Sequence, residues 1–462
     1  MTGATAAIAD FIANVPARDF PRGADDKAKK ALADTFAVML AGARAEVAPP
    51  LLRYLETAGE SGASPVLATG RSASPETAAL VNGTFGHALD YDDVLTMMPG
   101  HPSVVILAAV LAGVNGTRVS GRALIDAYVI GIEVGGKLGL GITNEHYRRG
   151  FHATGTLGIF AAVAALARLH GMRPPAIRQA LGIAASTASG LRRNFGTMTK
   201  PLHSGLAARG ALTAYRLADA GFSAASDVIE APAGFFAAYG TDASDADVAA
   251  AGLGQPFVVD DPGLSLKKFP CCYATHRPVD AMLALRARLG FDAASVDRVV
   301  CRMPPGGMQV LTYPRPATGL EGKFSLPYCL AAGALDGEYS LATFSDPAVR
   351  RKEIADLYAR IDAREDAACR GDAPDFERHS AGSRGFVEVE VKLRDGRSER
   401  VRVDRPPGAP GRELTWDELR TKFRDCALHS QRIAEGAAND AFDALMNLDR
   451  LEDIAPVIDR LR

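Results

Sequence analysis

Basic side chains stand at or near the start of four predicted helices. Three of them, His101, Lys200 and His276, are followed within two residues by a proline, and His152 precedes a fourth helix. Proline is favoured in the first turn of a helix, where its missing N–H costs nothing. Helix N-termini attract anions and lower the pKa of a nearby histidine. A single histidine of this kind is more often a cap, but four converging ends would bind a compact polyanion and supply acids and bases.

An acidic run, DYDD at residues 90–93, ends the predicted helix that contains His87. Such a run binds a divalent metal in some helical enzymes, but that pattern needs a further aspartate where this chain has Thr96. Acidic runs usually lie on solvated helix ends. A third interpretation is that Asp90 orients a catalytic histidine, as carboxylates do in catalytic triads. We predict no metal site.

The six cysteines are scattered and lack the C-x2-C spacing of zinc and iron–sulfur sites. Cys271 and Cys272 lie close to His276, so a thiolate nucleophile is conceivable, but no oxyanion-hole signature accompanies them. The chain has neither a Walker loop nor a G-x-G-x-x-G motif after a strand. We expect reduced thiols, a cytoplasmic location and no cofactor.

The composition is that of an ordinary globular protein, with 462 residues of which 47% are hydrophobic and 23% charged. Lys and Arg number 52 and Asp and Glu number 54, which gives a formal charge of −2. This balance provides no bulk attraction to nucleic acid or to an anionic membrane. No apolar run approaches the ~20 residues of a membrane span, and residues 1–14 do not resemble a secretory signal. We expect no nucleic-acid or membrane partner.

Helical spacing of apolar residues dominates the first 270 residues, where we predict no strand. Several of these helices are apolar on most sides and must lie inside a bundle. Residues 296–303 and 386–393 alternate and predict strands, the second joined through Asp395-Gly396 to another at 400–403. The predicted helices are residues 25–43, 75–89, 103–114, 121–138, 154–169, 174–186, 202–220, 277–289, 323–335, 346–361, 415–426 and 431–445.

Six separated segments resemble the MmgE/PrpD family, which includes 2-methylcitrate dehydratase, cis-aconitate decarboxylase and iminodisuccinate epimerase. They are VNGTFGHALDYDD (81–93), GHPSVVILAAVLA (100–112), GFHATGTLGIFAA (150–162), TKPLHSGLAARGA (199–211), KKFPCCYATHRPVDAML (267–283) and KFSLPYCLA (323–331). The resemblance runs through the whole chain. It implies a mainly α fold with an α+β part: a large all-helical domain at 1–268, a smaller α+β lid domain at 269–404, and C-terminal helices at 405–462 that return to the first domain.

The resemblance also implies an active site between the two domains, a homodimer, and no metal or cofactor. The family's functional residues fall on Asp90, His101, His152, Lys200 and His276. We expect His101 and His152 to serve as general base and general acid, in either order, and Asp90 to hold one histidine in its working tautomer. Lys200 binds a substrate carboxylate, and His276 closes onto the substrate from the lid.

Further substrate-binding residues are predicted from their charge and position. His203 lies in the same KPLH turn as Lys200, and Arg192 and Lys268 are additional candidates to bind carboxylates. The pair Arg192-Arg193 could equally lie in a solvated loop.

The expected function is proton abstraction next to a carboxylate of a small di- or tricarboxylic acid. A dehydratase acting on 2-methylcitrate is the first choice, and a cis-aconitate decarboxylase or an iminodisuccinate epimerase is the alternative. All three reactions need an anion-binding site and two proton-handling groups. A non-catalytic helical dimer that binds small acids is the remaining alternative, which the presence of all five site residues argues against.

Overall fold

The computed structural model describes residues 3–57, 62–114, 116–372, 376 and 382–462. The chain forms two compact units. The first comprises Met1–Asn194, Met198–Leu266 and Thr415–Arg462, and the second comprises Phe195–Thr197 and Lys267–Leu414. The sequence placed the corresponding boundaries after residues 268 and 404.

The first unit is built from helices around one that is buried on all sides. Every residue from Pro102 to Ala112 of helix Pro102–Gly113 is buried, as expected for a helix without a polar face. The helices Pro75–Ala88, Gly158–Leu169 and Thr199–Asp219 pack against it. The other helices of this unit are Ala4–Asn14, Ala24–Gly42, Ala48–Thr57, Gly121–Ile142, Asn144–Arg148, Ala153–Thr156, Pro174–Thr187, Phe235–Tyr239, Ala246–Ala251, Trp416–His429, Glu435–Met446 and Ala455–Arg460. No helix among the described residues is long and apolar enough to cross a membrane.

A short hairpin corrects the prediction that this part of the chain has no strand. Strands β1 (Ser64–Val66) and β2 (Arg71–Ala73) pair antiparallel. The Asn82 side chain holds the hairpin on the neighbouring helix, because its amide donates to Pro65 O and its oxygen accepts from Leu67 N. Three-residue strands are too short to show an alternating pattern, so the sequence carried no signal for them.

The second unit contains a four-stranded sheet in the order β4-β3-β5-β6. The strands are β3 (Val296–Met303), β4 (Ile361–Glu365), β5 (Val387–Leu393) and β6 (Ser398–Val403), and only the β3–β4 pair is parallel. The helices are His276–Leu289, Gly319–Gly322, Leu326–Asp336, Asp346–Val349 and Lys352–Tyr358.

The predicted helix at 346–361 is wrong at its end. It divides into helices Asp346–Val349 and Lys352–Tyr358, and Ile361 begins β4. This edge strand, IDARE, is half-buried or exposed along its length and lacks alternation, so only its pairing with β3 defines it. The fold class is nevertheless the predicted one, mainly α with an α+β part.

Candidate active site

Two helices of the first unit approach each other closely at Gly83 and Gly205. A Cβ atom at Gly83 would lie 2.9 Å from Gly205 Cα, and one at Gly205 would lie 2.2 Å from Leu80 O. Only glycine fits where two backbones come this close. The contact brings the C-terminal end of Pro75–Ala88 beside the N-terminal end of Thr199–Asp219.

A buried ion pair joins these two helix ends. The Lys200 ammonium donates to Asp90 Oδ1, and both side chains are about 5% exposed. Lys200 is the second residue of its helix, which begins three residues before the predicted start at residue 202 and has Pro201 in its first turn. Asp90 has φ 51°, a left-handed conformation that Asp tolerates better than most residues. The pair places a fixed cation at a helix N-terminus.

Three imidazoles meet beside this ion pair. The ring centroids of His87 and His101 are 4.5 Å apart, those of His87 and His152 are 5.5 Å apart, and those of His101 and His152 are 6.4 Å apart. One ring nitrogen from each lies within 4.8 Å of those of the other two. His87 lies at the end of Pro75–Ala88, whereas His101 and His152 are N-caps of two other helices. Three of the four predicted helix starts, those at His101, His152 and Lys200, therefore converge in the first unit.

His101 lies among groups that stabilise a positive charge. Its Nδ1 donates to the backbone carbonyl of Asp93 at 2.6 Å. Its Nδ1 is also 3.6 Å from Asp92 Oδ2, and its Nε2 is 4.0 Å from Asp90 Oδ1. Two carboxylates and a carbonyl oxygen therefore face this one imidazole.

His152 has the opposite environment. Burial lowers its pKa well below the usual value, and the neighbouring His87 and Lys200 lower it further. Its Nδ1 lies 3.0 Å from Nδ1 of His203, whose pKa is lowered to about 4 by burial and by Lys200. Both rings are therefore neutral at pH 7. The two predicted proton-handling histidines thus differ in their neighbours, and a neutral His152 is suited to accept a proton.

The carboxylates of the acidic run are buried, so the interpretation of this run as a solvated helix end is wrong. Asp92 Oδ2 is 2.8 Å from His87 Nδ1, and both side chains are fully buried. Asp90, predicted to orient a histidine, is bonded to Lys200 and lies 4.0 Å from His101 Nε2, so its orienting role stays a prediction. His87 and Asp92 were not predicted as site residues, although both lie in the family-like segment at 81–93.

Behind the site, Ser103 connects Asp93 to Tyr128. The Ser103 hydroxyl donates to Asp93 Oδ2 at 2.6 Å and lies 2.6 Å from the Tyr128 hydroxyl. Burial raises the pKa of Asp93 well above its usual value, although the hydrogen bond from Ser103 opposes this shift. This network fixes the start of helix Pro102–Gly113, whose N-cap is His101.

A lysine of the C-terminal part also supports the acidic run. The Lys422 ammonium is 2.7 Å from Asp34 Oδ1 and donates to Tyr91 O at 2.8 Å. Lys422 belongs to helix Trp416–His429, so this helix packs within the first unit and holds the loop between His87 and His101. No local motif marks Lys422 as a supporting residue.

The remaining predicted substrate-binding residues lie in different surroundings. The Arg192 guanidinium is 4.0 Å from the Tyr147 ring centroid and donates to Tyr147 O at 2.7 Å. In the second unit Lys268 is exposed, whereas the adjacent Lys267 is fully buried. Substrate binding by Arg192 and Lys268 stays a prediction.

His276 belongs to the second unit and is fully buried there. It is the first residue of helix His276–Leu289, and its Nε2 is 3.3 Å from Cys271 O. Its ring lies 5.3 Å from Phe269 and 5.4 Å from Tyr273. The predicted closure of His276 onto the substrate stays a prediction.

Comparison with known proteins places this arrangement in a family. Residues 6–246 match the MmgE/PrpD N-terminal domain, and residues 269–448 match the MmgE/PrpD C-terminal domain. The chain belongs to the MmgE/PrpD family. It is 28% identical to a cis-aconitate decarboxylase of Mus musculus, over 99% of this chain and 93% of the relative. It is 27% identical to one of Aspergillus terreus (strain NIH 2624 / FGSC A1156), over 100% of this chain and 96% of the relative. A cis-aconitate decarboxylase of Homo sapiens is 28% identical, over 92% and 88%. The chain is accordingly a lyase of this family.

Proposed function

We propose that this lyase decarboxylates a small unsaturated tricarboxylic acid, with cis-aconitate as the substrate to test first. The observation that carries the proposal is the buried cluster in which Lys200 lies beside two histidines with contrasting neighbours, carboxylates at His101 and cationic groups at His152. The names of the relatives support a decarboxylase over the 2-methylcitrate dehydratase that the sequence placed first.

The first unit offers a cation and two helix ends to a polyanionic substrate. Lys200 lies in the first turn of Thr199–Asp219, and His101 caps Pro102–Gly113. Free N–H groups and the positive dipole end at each helix start add to the attraction of the ammonium. A substrate carboxylate that binds Lys200 competes with Asp90 for the ammonium, so binding exchanges one buried ion pair for another.

The proposed reaction needs one proton donor. His101 gives a proton to the =CH– carbon of cis-aconitate, the bond between the CH2 carbon and its carboxylate breaks, and carbon dioxide leaves. The electron pair of that bond forms a new C=C between the CH2 carbon and the central carbon, which yields 2-methylenesuccinate. As the C–C bond breaks, the negative charge of the departing carboxylate shifts through the C=C towards the carbon that takes the proton, and Lys200 stabilises this charge. His101 then regains a proton from water.

A neutral His152 favours one second candidate, a dehydratase acting on 2-methylcitrate. Dehydration needs a base for the proton beside the carboxylate and an acid for the leaving hydroxyl. His152 and His101 would take these two roles, in that order. The same cluster therefore accommodates both reactions, and which of them occurs depends on the substrate that binds.

The test is incubation of the pure, chelator-treated protein with cis-aconitate, 2-methylcitrate, citrate and iminodisuccinate in deuterated water, followed by proton NMR. Decarboxylation of cis-aconitate would give 2-methylenesuccinate with one deuterium on its saturated carbon. His101→Gln should abolish turnover, whereas His429→Gln, at an exposed position in the C-terminal helix, should leave it unchanged. Loss of water from 2-methylcitrate with no reaction of cis-aconitate would refute the decarboxylase in favour of the second candidate.

A further inference from the structure

The imidazole cluster has the donor set and the supporting bonds of a metal site. His87, His101 and His152 come from three separate elements, and one ring nitrogen from each lies within 4.8 Å of the others. We propose that these three histidines bind one divalent transition metal of the Zn²⁺ class, and that the bound metal blocks the acid–base chemistry of the site. Metal binding is independent of the proposed reaction, whereas the block of the acid–base chemistry rests on the proposed function.

The outer bonds of two rings already select the nitrogen that would face a metal. Nδ1 of His87 is bonded to the Asp92 carboxylate, and Nδ1 of His101 donates to the Asp93 carbonyl. A carboxylate or a carbonyl that accepts from the second ring nitrogen is the usual support of a metal-binding histidine, because it fixes the tautomer and the ring orientation. In both rings Nε2, on the far side of the ring from that bond, is the nitrogen that would bind a metal.

The third ring meets the same requirement. Nδ1 of His152 faces Nδ1 of His203 at 3.0 Å, so Nε2 of His152 is directed away from that contact. Three buried imidazoles on separate elements form a preorganised donor set.

The distances require only small movements. Bonds of about 2.0–2.1 Å in a tetrahedral site hold the nitrogens about 3.4 Å apart, compared with the separations of up to 4.8 Å seen here. Rotations of the imidazole rings cover this difference. Three imidazoles with an open fourth position are a donor set for Zn²⁺ and its neighbours in the first transition row, not for Mg²⁺ or Ca²⁺, which prefer oxygen.

Charges of both signs lie near the cluster. Asp92 and Asp90 lie 3.6 and 4.0 Å from the His101 ring nitrogens, and Lys200 is the opposing positive group. The sequence carried no signal for this site, because the three histidines are separated along the chain and the DYDD run departs from an aspartate-rich metal motif.

The test is a titration of chelator-treated protein with Zn²⁺ and with Co²⁺ in the absence of substrate. We expect one equivalent to bind per chain and a visible Co²⁺ spectrum of a nitrogen-ligated tetrahedral ion. His87→Ala and His152→Ala should lose this equivalent, and His429→Ala should keep it. Asp92→Asn should weaken binding by about 10–100-fold through the loss of ring support. Zn²⁺ should inhibit turnover competitively with the carboxylate substrate.

X-ray absorption of the zinc-loaded wild-type protein tests the same inference without any variant. Three nitrogen neighbours at about 2.0–2.1 Å with imidazole scattering are expected, and sulfur neighbours at about 2.3 Å would assign the metal to cysteines and overturn the proposal. Absence of stoichiometric binding at micromolar Zn²⁺ would overturn it as well. Because these readouts need no substrate, failure of the metal site and failure of the proposed reaction are separate outcomes.

Discussion

Replacement of Lys200 by methionine removes the cation of the buried pair and keeps most of the side-chain volume. Asp90 would then be a buried carboxylate that has lost its ion-pair partner, since both side chains are about 5% exposed in the native pair. Removing one partner of a buried ion pair costs about 3–5 kcal/mol. We expect the free energy of unfolding of Lys200→Met to fall by this amount at pH 7.

The double variant Asp90→Asn/Lys200→Met separates the structural effect from the functional one. Asparagine tolerates the left-handed conformation that Asp90 adopts at φ 51°, and it carries no charge to leave unpaired. The double variant should regain more than half of the lost stability. Its turnover of cis-aconitate should stay reduced by about 10²–10³-fold or more, because the cation that stabilises the developing charge is still missing.

The fluorescence of Trp416 during urea unfolding is the appropriate stability measurement. Trp416 is the single tryptophan of the chain and lies in the first unit, where its Nε1 donates to Asp26 Oδ1 at 2.9 Å. Its signal therefore reports on the unit that contains the ion pair. Unchanged stability of Lys200→Met would refute the burial argument. Recovery of turnover in the double variant would refute the role of Lys200 in substrate binding.

Two further predictions concern packing and pH. Gly205→Ala should lower stability by about 1–3 kcal/mol and reduce turnover, because the added Cβ would lie 2.2 Å from Leu80 O and push the two site helices apart. Gly436→Ala is the matched control, because it lies in a helix and nothing lies within 4 Å of its new Cβ. In a thermal melt this control should be neutral or slightly stabilising. Burial lowers the pKa of His146 from 6.5 to about 4, so the unfolded chain binds a proton at a higher pH than the folded protein does. The contribution of neutral His146 to stability is therefore complete above pH 6.5. It should be lost, by up to about 3 kcal/mol, as the pH falls to 4. Urea unfolding of wild type and His146→Gln at pH 7 and pH 5 measures this effect, and an equal loss of stability in both proteins would contradict it.

Local sequence was sufficient wherever one element carries its own signal. Helix Pro102–Gly113 is apolar around its whole circumference and is buried on all sides, and His101 is its N-cap with proline next to it. The Asp395-Gly396 dipeptide predicted the hairpin between Val387–Leu393 and Ser398–Val403 that the sheet contains. The six family-like segments are likewise recognised from short stretches of sequence.

The short strands and the edge strand were not predicted, because their local sequence gives only a weak strand pattern. The three-residue strands Ser64–Val66 and Arg71–Ala73 are defined by pairing and by Asn82. The strand Ile361–Glu365 is defined by its neighbour in the sheet. Periodicity requires several residues with one buried face, and none of these segments provides it.

The sequence determined which acids and bases are available and placed His101, His152 and Lys200 at helix starts, because capping and proline preferences act within a few residues. Tertiary structure decided which of these groups face one another. Asp90 and Lys200 are 110 positions apart, and His152 and His203 are 51 apart. Packing also lowered the pKa of His152, because the pKa of a side chain depends on burial and on neighbours that only the packing of helices brings together.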